Sequence, residues 1–272
     1  MMDPLARPHR TGVHHRFALA AALLCLLLPV TAAASSDSET RDPKAVEIAQ
    51  KALDGMGGAD AWAASRHLVF DFFDFRRHAW DRETGRHRLE GATREGQNYV
   101  VLHNVNSRTG QVFLDGELLA GDAAAEWLER AYGAWINDVY WLVMPYKVLD
   151  PGVHLAYEGR ETVDGTELEK IRLTFGEVGL TPGDTYWAWF DPESGLMSRW
   201  AYHLESWEAD REPTAWDWTD WREYGDIMLA GTRVQLGEGG TSRDLTPIGV
   251  FDDLPDAVYT SPEPVPFTLP EP

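Results

Sequence analysis

Apolar and polar residues alternate with a period of two along most of this chain and switch to a helical period in two stretches. The longer stretch is residues 122–149. There Trp127, Ala131, Trp135, Val139 and Leu142 recur at helical spacing, and Leu128, Tyr132, Ile136 and Tyr140 form a second stripe beside them. Glu126, Glu129, Arg130, Asn137 and Asp138 take the rest of the circumference. The pattern predicts a helix with an unusually wide apolar face, capped by Asp122 and ended at Pro145. The shorter stretch is 43–53, where Val46, Ala49 and Leu53 share a face. Gly55-Met-Gly-Gly58 ends it, because glycine accepts the left-handed turn at a helix C-terminus. A short turn carrying Trp62 is expected at 60–64.

The period-two segments predict strands. Residues 67–75 put Leu68, Phe70 and Phe72 on one side and Val69, Phe73 and Phe75 on the other. A weaker strand is expected at 86–94 and stronger ones at 99–104 and 111–114. Asp115-Gly116 is a hairpin signal leading into Glu117-Leu-Leu. Past the long helix, Val153, Leu155 and Tyr157 alternate with polar residues, Asp164-Gly165 turns the chain, and Ile171, Leu173 and Phe175 alternate again. Residues 186–190 are apolar on both faces, and 191–195 form a turn. Leu196, Trp200, Tyr202 and Leu204 then point one way. Segments 216–224, 228–236 and 242–250 complete the series, and the proline-rich tail from 252 is expected to be extended. Roughly ten or eleven strands joined by tight turns suggest one antiparallel sheet, curved or nearly closed, in a single domain.

The aromatic content adds a question that periodicity leaves open. Twelve tryptophans are present, and Trp127, Tyr132, Trp135, Tyr140 and Trp141 fall within fifteen positions. A helix packed on a sheet buries such a stripe with no ligand involved. Large aromatics also line ligand cavities. In the second reading the candidate ligand-binding set is Trp127, Tyr132, Trp135 and Tyr140 on the helix, Phe70 and Phe72 on the sheet, and Trp187, Trp189 or Trp200 bordering the cavity. Which of those three faces inward depends on strand register.

Composition bears on compartment and partners. Arg7, Arg10 and Arg16 precede or open an apolar run at 17–30, followed by Ala32-Ala33-Ala34. This predicts a cleaved secretory signal peptide over 1–34, too short for a membrane span. Cys25 is the single cysteine and lies in that run, with Leu24 where a lipoprotein signal needs a small residue. The mature chain from 35 onward is then without disulfides or thiol chemistry. A polar tether is expected at 35–42. The chain of 272 residues carries 24 basic and 44 acidic residues, a net charge of −20. Such a field repels nucleic acid and anionic surfaces.

Catalytic signatures are scarce. There is no nucleophile elbow, His-Glu-x-x-His, P-loop or dinucleotide fingerprint. His67, His78, His87, His103, His154 and His203 are scattered without metal-ligand spacing, so no cofactor and no metal are expected. The stretch 205–221 interleaves tryptophan with carboxylates, as sugar-binding clefts do, and Glu205 with Glu208 is a conceivable acid and base pair. Alternation sets Trp216 and Trp218 on one face, as a core strand would, and a solvated acidic loop at 208–213 explains the rest. Asp210 and Glu212 do not match a calcium loop.

Three passages resemble the LolA/LolB-like superfamily of bacterial lipoprotein carriers, especially its uncharacterised secreted bacterial members. They are Ala52-Leu-Asp-Gly-Met-Gly-Gly58 with Trp62 and Leu68-Val-Phe70, then Tyr140-Trp-Leu-Val-Met-Pro-Tyr-Lys-Val148 with Gly165 and Ile171-Arg-Leu-Thr-Phe175, and finally 220–233 with Val258-Tyr-Thr-Ser-Pro262. Thr232 stands where that superfamily often has proline. The resemblance implies a mainly β (α+β) fold over 35–272, an incomplete antiparallel β-barrel with an aromatic-rich helix across its concave face. It implies an apolar cavity and no catalytic residues. The expected function is a periplasmic or secreted carrier for a hydrophobic ligand: a lipid, an acyl chain or a lipoprotein. Expected partners are a lipid or other amphiphile and an envelope protein or lipoprotein, with no nucleic acid. A sugar-active enzyme and a cavity-free envelope interaction module are the rivals.

Overall fold

The computed structural model describes residues 40–265. The expected signal peptide and residues 35–39 of the expected tether lie outside them. Residues 40–42 are not a tether: the N–H of Leu155 donates to the Thr40 carbonyl and that of Asp42 to the Leu155 carbonyl, both at 2.9 Å. Helix α1 (Pro43–Gly55) starts at Asp42, whose carboxylate accepts from the N–H of Lys44 at 2.8 Å. The chain then turns at Gly57 with φ 107°, where a Cβ would lie 2.2 Å from the Asp226 carbonyl oxygen. A short helix, α2 (Gly58–Ala64), follows.

The strands form an antiparallel meander in two seven-stranded sheets. The first contains β1 (His67–Phe72), β2 (Arg76–Asp81), β3 (Arg86–Ala92), β4 (Asn98–Asn104), β5 (Thr109–Leu114) and β6 (Glu117–Leu118). Helix α3 (Gly121–Lys147) comes next. The second sheet contains β7 (Val153–Val163), β8 (Thr166–Phe175), β9 (Thr185–Phe190), β10 (Met197–His203), β11 (Thr214–Tyr224), β12 (Ile227–Gln235) and β13 (Ser242–Asp244). Strand β14 (Ile248–Phe251) returns to pair with β1. Between β13 and β14, Leu245 joins the sheets: its N–H donates to Gly231 of β12, and its carbonyl accepts from Asp71 of β1. A Thr246–Pro247 cis peptide lies in this seam. Strands β6 and β7, the free ends, do not pair with each other. The β-structure is therefore an incomplete barrel, and α3 is the link between its free ends.

Helix α3 lies against the concave face and has two unlike halves. From Asp138 to Tyr146 every residue except Tyr140 is buried, within a core that includes Phe70, Phe72, Trp200, Trp216 and Trp218. Before that, most positions are half-buried or exposed. The helix does not end at Pro145, as the proline suggested, but runs through it to Lys147. A proline at 145 offers no N–H to the carbonyl of Trp141 four residues earlier. Arg233 of β12 donates to that carbonyl through Nη2 at 2.6 Å and Nε at 3.2 Å. Arg233 is fully buried, with its guanidinium 3.5 Å from the centroid of Trp218, and also donates to the carbonyls of Ala230 and Thr232. Burial pushes its pKa well down from the usual value.

Other departures have local causes. Asp122 is not the cap: the cap position is Ala120, with no side-chain bond, and Asp122 sits in the first turn. The expected strand at 67–75 breaks at Phe73 and Asp74, with φ of 53° and 59°. The chain reverses there into β2, a strand hidden in the sequence by its composition, Arg-Arg-His-Ala-Trp-Asp, and by a turn without glycine. The segment 242–250 is two strands belonging to different sheets. The tail is not wholly extended: α4 (Ala257–Thr260) buries Val258 and Tyr259 against Val69 and Ala79 on the convex face. Fourteen strands are present among the described residues, rather than ten or eleven.

Arg233→Met should cost about 3 kcal/mol, because it leaves the Trp141 carbonyl buried without a donor. Pro145→Ala should recover part of that loss, since alanine at this position restores the helical N–H. Urea denaturation of the four proteins in a double-mutant cycle measures the coupling. A coupling near zero would show that Arg233 does not substitute for the missing N–H.

Candidate functional site

A cavity of about 380 Å³ opens beside the middle of α3. Gly133, Ile136, Asn137, Tyr140 and Trp141 recur at three- and four-residue spacing, so one helix face forms a wall. Strands β8, β9 and β10 contribute Phe175, Tyr186, Trp200 and Tyr202 from the concave face. The loop 176–184 closes the third side with Val178, Leu180, Thr181 and Asp184. Val178 is 37% and Leu180 56% exposed, unusual for apolar side chains in this protein.

The aromatic walls pack edge to face. Tyr186 and Trp200 lie 5.3 Å apart at 87°, Tyr140 and Trp200 6.2 Å apart at 60°, and Trp141 stands 4.8 Å from Trp200 at 80°. Asp184 is 2% exposed. Its carboxylate accepts from the Thr181 hydroxyl at 2.7 Å, the Tyr186 hydroxyl at 3.2 Å and the Glu205 N–H at 2.9 Å. Burial first, then the Asp184 charge, raises the Tyr186 pKa. Burial also raises that of Tyr140 well above the ordinary range. Both phenols are therefore neutral donors at physiological pH.

Of the nine sequence-predicted residues, Tyr140 and Trp200 line this cavity. Trp135 packs against Trp80 at 5.3 Å, and Tyr132 beneath the Arg108 guanidinium at 3.9 Å. Trp127 rests on Tyr99 at 5.0 Å. Phe70 stacks on His78 at 4.6 Å, and Phe72 on Phe73 at 4.1 Å, all within the core rather than at the cavity. Trp187 and Trp189 lie on the convex face with Val163, Leu168 and Ala201, and the Trp189 indole donates to Glu161 at 3.2 Å. The cavity residues that sequence reasoning missed are chiefly Gly133, Asp184, Tyr186 and the loop 176–184. The i, i+3, i+4, i+7 spacing of 133, 136, 137 and 140 was the available signal.

The acidic tryptophan stretch is divided. Trp216 and Trp218 enter the core, whereas Glu205 and Glu208 sit exposed on the loop after β10. Neither glutamate lines the aromatic cavity. Among the described residues no group of three His, Cys, Asp or Glu side chains is placed to hold a metal ion.

Three of the scattered histidines form a row beneath α3. Arg76 binds the fully buried Asp138 of the helix through two nitrogens at 2.7 and 3.0 Å. Asp138 also meets His78 Nε2 at 2.9 Å. His78 Nδ1 meets His87 Nε2 at 3.0 Å, and His87 Nδ1 meets His103 Nε2 at 2.7 Å. A carboxylate accepts only, so each Nε2 carries the proton and the Nδ1 atoms of His78 and His87 accept. The row ends at His103 Nδ1, which is buried with no hydrogen-bond partner. Asn137 lines the cavity and donates to Asp138 at 2.9 Å, joining the two features. Register builds this row, with His87 directly opposite His103 across β3 and β4.

No family model matches this chain. No curated protein matches it. Solved structures do resemble it. A DUF1329 family protein from Desulfovibrio piger has a TM-score of 0.43 at 14% identity, covering 80% of this chain and 99% of its own. A LolA superfamily protein from Nitrosomonas europaea has 0.42 at 13% identity, covering 78% and 97%. An outer membrane lipoprotein-sorting protein domain from Vibrio parahaemolyticus has 0.42 at 9% identity, covering 79% and 96%.

Burial lowers the pKa of His78, His87 and His103, that of His103 to about 4. These groups are charged more readily in the unfolded chain, so stability is complete above about pH 6.5 and falls as the pH drops toward 4. The His103 shift alone corresponds to on the order of 3 kcal/mol. His67, also lowered by burial, contributes in the same window. Melting temperatures measured from pH 7 to 4 should fall steeply for the wild type and less for His103→Gln. Equal slopes would remove His103 as a source.

Proposed function

We propose that this protein binds and carries a hydrophobic or amphiphilic ligand, such as a lipid, an acyl chain or the acylated end of a lipoprotein, in the aromatic cavity beside α3. The observation that carries the reading is a cavity walled by six aromatic rings, with the apolar Val178 and Leu180 exposed at its rim. Its volume falls within the range of roughly 300–1,000 Å³ common for small-molecule sites. Transfer of about eight methylenes from water gains ~6 kcal/mol before ordering costs, at ~0.8 kcal/mol each. A basic and apolar leader over 1–34 supports a periplasmic or secreted location. Among the described residues no helix is long and apolar enough to cross a membrane. The cavity offers a site for sequestering apolar surface from water.

Gly133 allows a test that spares the core. A Cβ built there meets nothing within 4 Å. Gly133→Ala should keep ligand binding and add up to about 1 kcal/mol of helix stability. Gly133→Trp should fill the cavity while leaving the fold intact. With the uncharged probe Nile red, the wild type and Gly133→Ala should bind saturably, with tryptophan quenching and a rise in melting temperature with occupancy. Gly133→Trp should lose at least tenfold in affinity. Equal binding by a folded Gly133→Trp protein would place the probe elsewhere, and no saturable binding by the wild type would end the carrier reading.

A further inference from the structure

The aromatic cavity contains one charged residue, and among the described residues no cationic side chain pairs with it. Among the fifteen residues that line the cavity, Asp184 is the only one with a charged side chain; there is no Lys, Arg or His. The three groups bonded to its carboxylate, the Thr181 and Tyr186 hydroxyls and the Glu205 N–H, are all neutral. No salt bridge to Asp184 occurs among the described residues. An ionised carboxylate removed from water with only neutral donors is costly, and a cation brought to it recovers part of that cost. Other buried carboxylates of this protein have such a cation: Asp138 has Arg76, Asp81 has Arg66 and Arg86, and Glu169 has Arg160. Asp184 is the exception, and it borders the aromatic cavity.

The rings beside it suit the same charge. Tyr140 from α3, Tyr186 from β9 and Trp200 from β10 stand at mutual separations of 5.3–6.2 Å and angles of 50–87°. Phe175 adds a further ring 4.9 Å from Tyr186 at 70°. These rings pack against one another, and the ring surface they leave toward the cavity attracts a cation through its quadrupole, most strongly an alkylated ammonium that sheds its water easily. The acidic surface, 44 acidic against 24 basic residues, draws cations toward the protein and repels anionic amphiphiles.

We infer that the ligand carried in this cavity is an amphiphile with a cationic ammonium head, which lodges beside the Asp184 carboxylate against the partly exposed rings of Tyr140 and Tyr186 while its tail lies along Ile136, Val178 and Leu180. This rests on the carrier reading above and adds the chemistry of the head. A fatty acid or alkyl sulfate, with its anionic head, is disfavoured at the same place.

The test compares three decyl amphiphiles below their micelle concentrations: decyltrimethylammonium, decyl sulfate and decyl maltoside. Binding to the mature protein is followed by isothermal titration calorimetry in about 0.5 M salt, where attraction to the exposed acidic surface is screened. The ammonium compound should bind at least tenfold more tightly than either of the others. Asp184→Asn keeps an acceptor oxygen for the Glu205 N–H and turns its amide group toward the Thr181 and Tyr186 hydroxyls, which can accept; it should reduce ammonium affinity to that of the maltoside. The double variant Asp210→Asn, Glu212→Gln, altered only on an exposed loop, should retain the full preference. Saturable binding of all three compounds with equal affinity would overturn the cationic head and leave the carrier reading standing. A preference that survives in Asp184→Asn, or is lost in the loop variant, would equally overturn it. If Asp184→Asn does not fold, Tyr186→Leu supplies the second variant, and an undiminished ammonium preference there overturns the inference. Failure of all three compounds to bind would instead remove the carrier reading itself.

Discussion

The last turns of α3 depend on one hydrogen-bonding substitution made across the core. Pro145 removes a helical donor from a carbonyl that is sealed from water, and Arg233 reaches from β12 to supply two. The guanidinium suits this task because its planar fork can serve several carbonyls while its face lies on Trp218. The helix therefore continues past the proline, and Tyr146 reaches its own anchors. Its hydroxyl donates to the carbonyl of Met56 at 2.7 Å and lies 2.9 Å from that of Met228. Trp62 stacks on the same ring at 4.3 Å, with the Arg82 guanidinium above Trp62 at 3.6 Å. Helices α1, α2 and α3 and strand β12 thus converge within a few residues of the proline.

From that fixed end the helix extends back over the open side of the first sheet, and its hold on the protein weakens along the way. Asp138 is the next anchor, through Arg76 and the histidine row. Residue 137, one position earlier, already faces the cavity. Neighbouring positions on one helical turn thus serve a permanent polar contact and a variable surface. The cavity lies beside the junction between a nearly continuously buried C-terminal half and an N-terminal half that buries Ala131 and packs Trp127, Leu128 and Trp135 against core clusters.

The tryptophan excess is mainly a packing solution. An incomplete barrel bridged by a single helix leaves a wide interior, and large rings fill it at normal density with few side chains. Trp141, Trp200, Trp216 and Trp218 meet there largely edge to face. Trp187 and Trp189 cover the convex face. Only Trp141 and Trp200 border the cavity.

Much of the architecture was legible in residue patterns because its causes are local. Alternation identified most strands, Asp115-Gly116 and Asp164-Gly165 marked turns that occur with φ of 48° and 50° at the aspartates, and the wide apolar stripe marked α3. Strand β2 escaped because half of its side chains are charged and its turn uses Phe73 and Asp74 in place of glycine. The helix outran Pro145 because Arg233, 92 positions along the chain from Trp141, supplied the missing donor. The candidate site was legible only in part, as an aromatic helix face with Tyr140 and Trp200. Whether Trp187, Trp189 or Trp200 turned inward, whether three scattered histidines became neighbours, and whether Asp184 met a cationic side chain were decided by register and packing. A one-residue shift of a strand exchanges its faces, so composition and spacing leave both arrangements open until the sheets assemble around the helix.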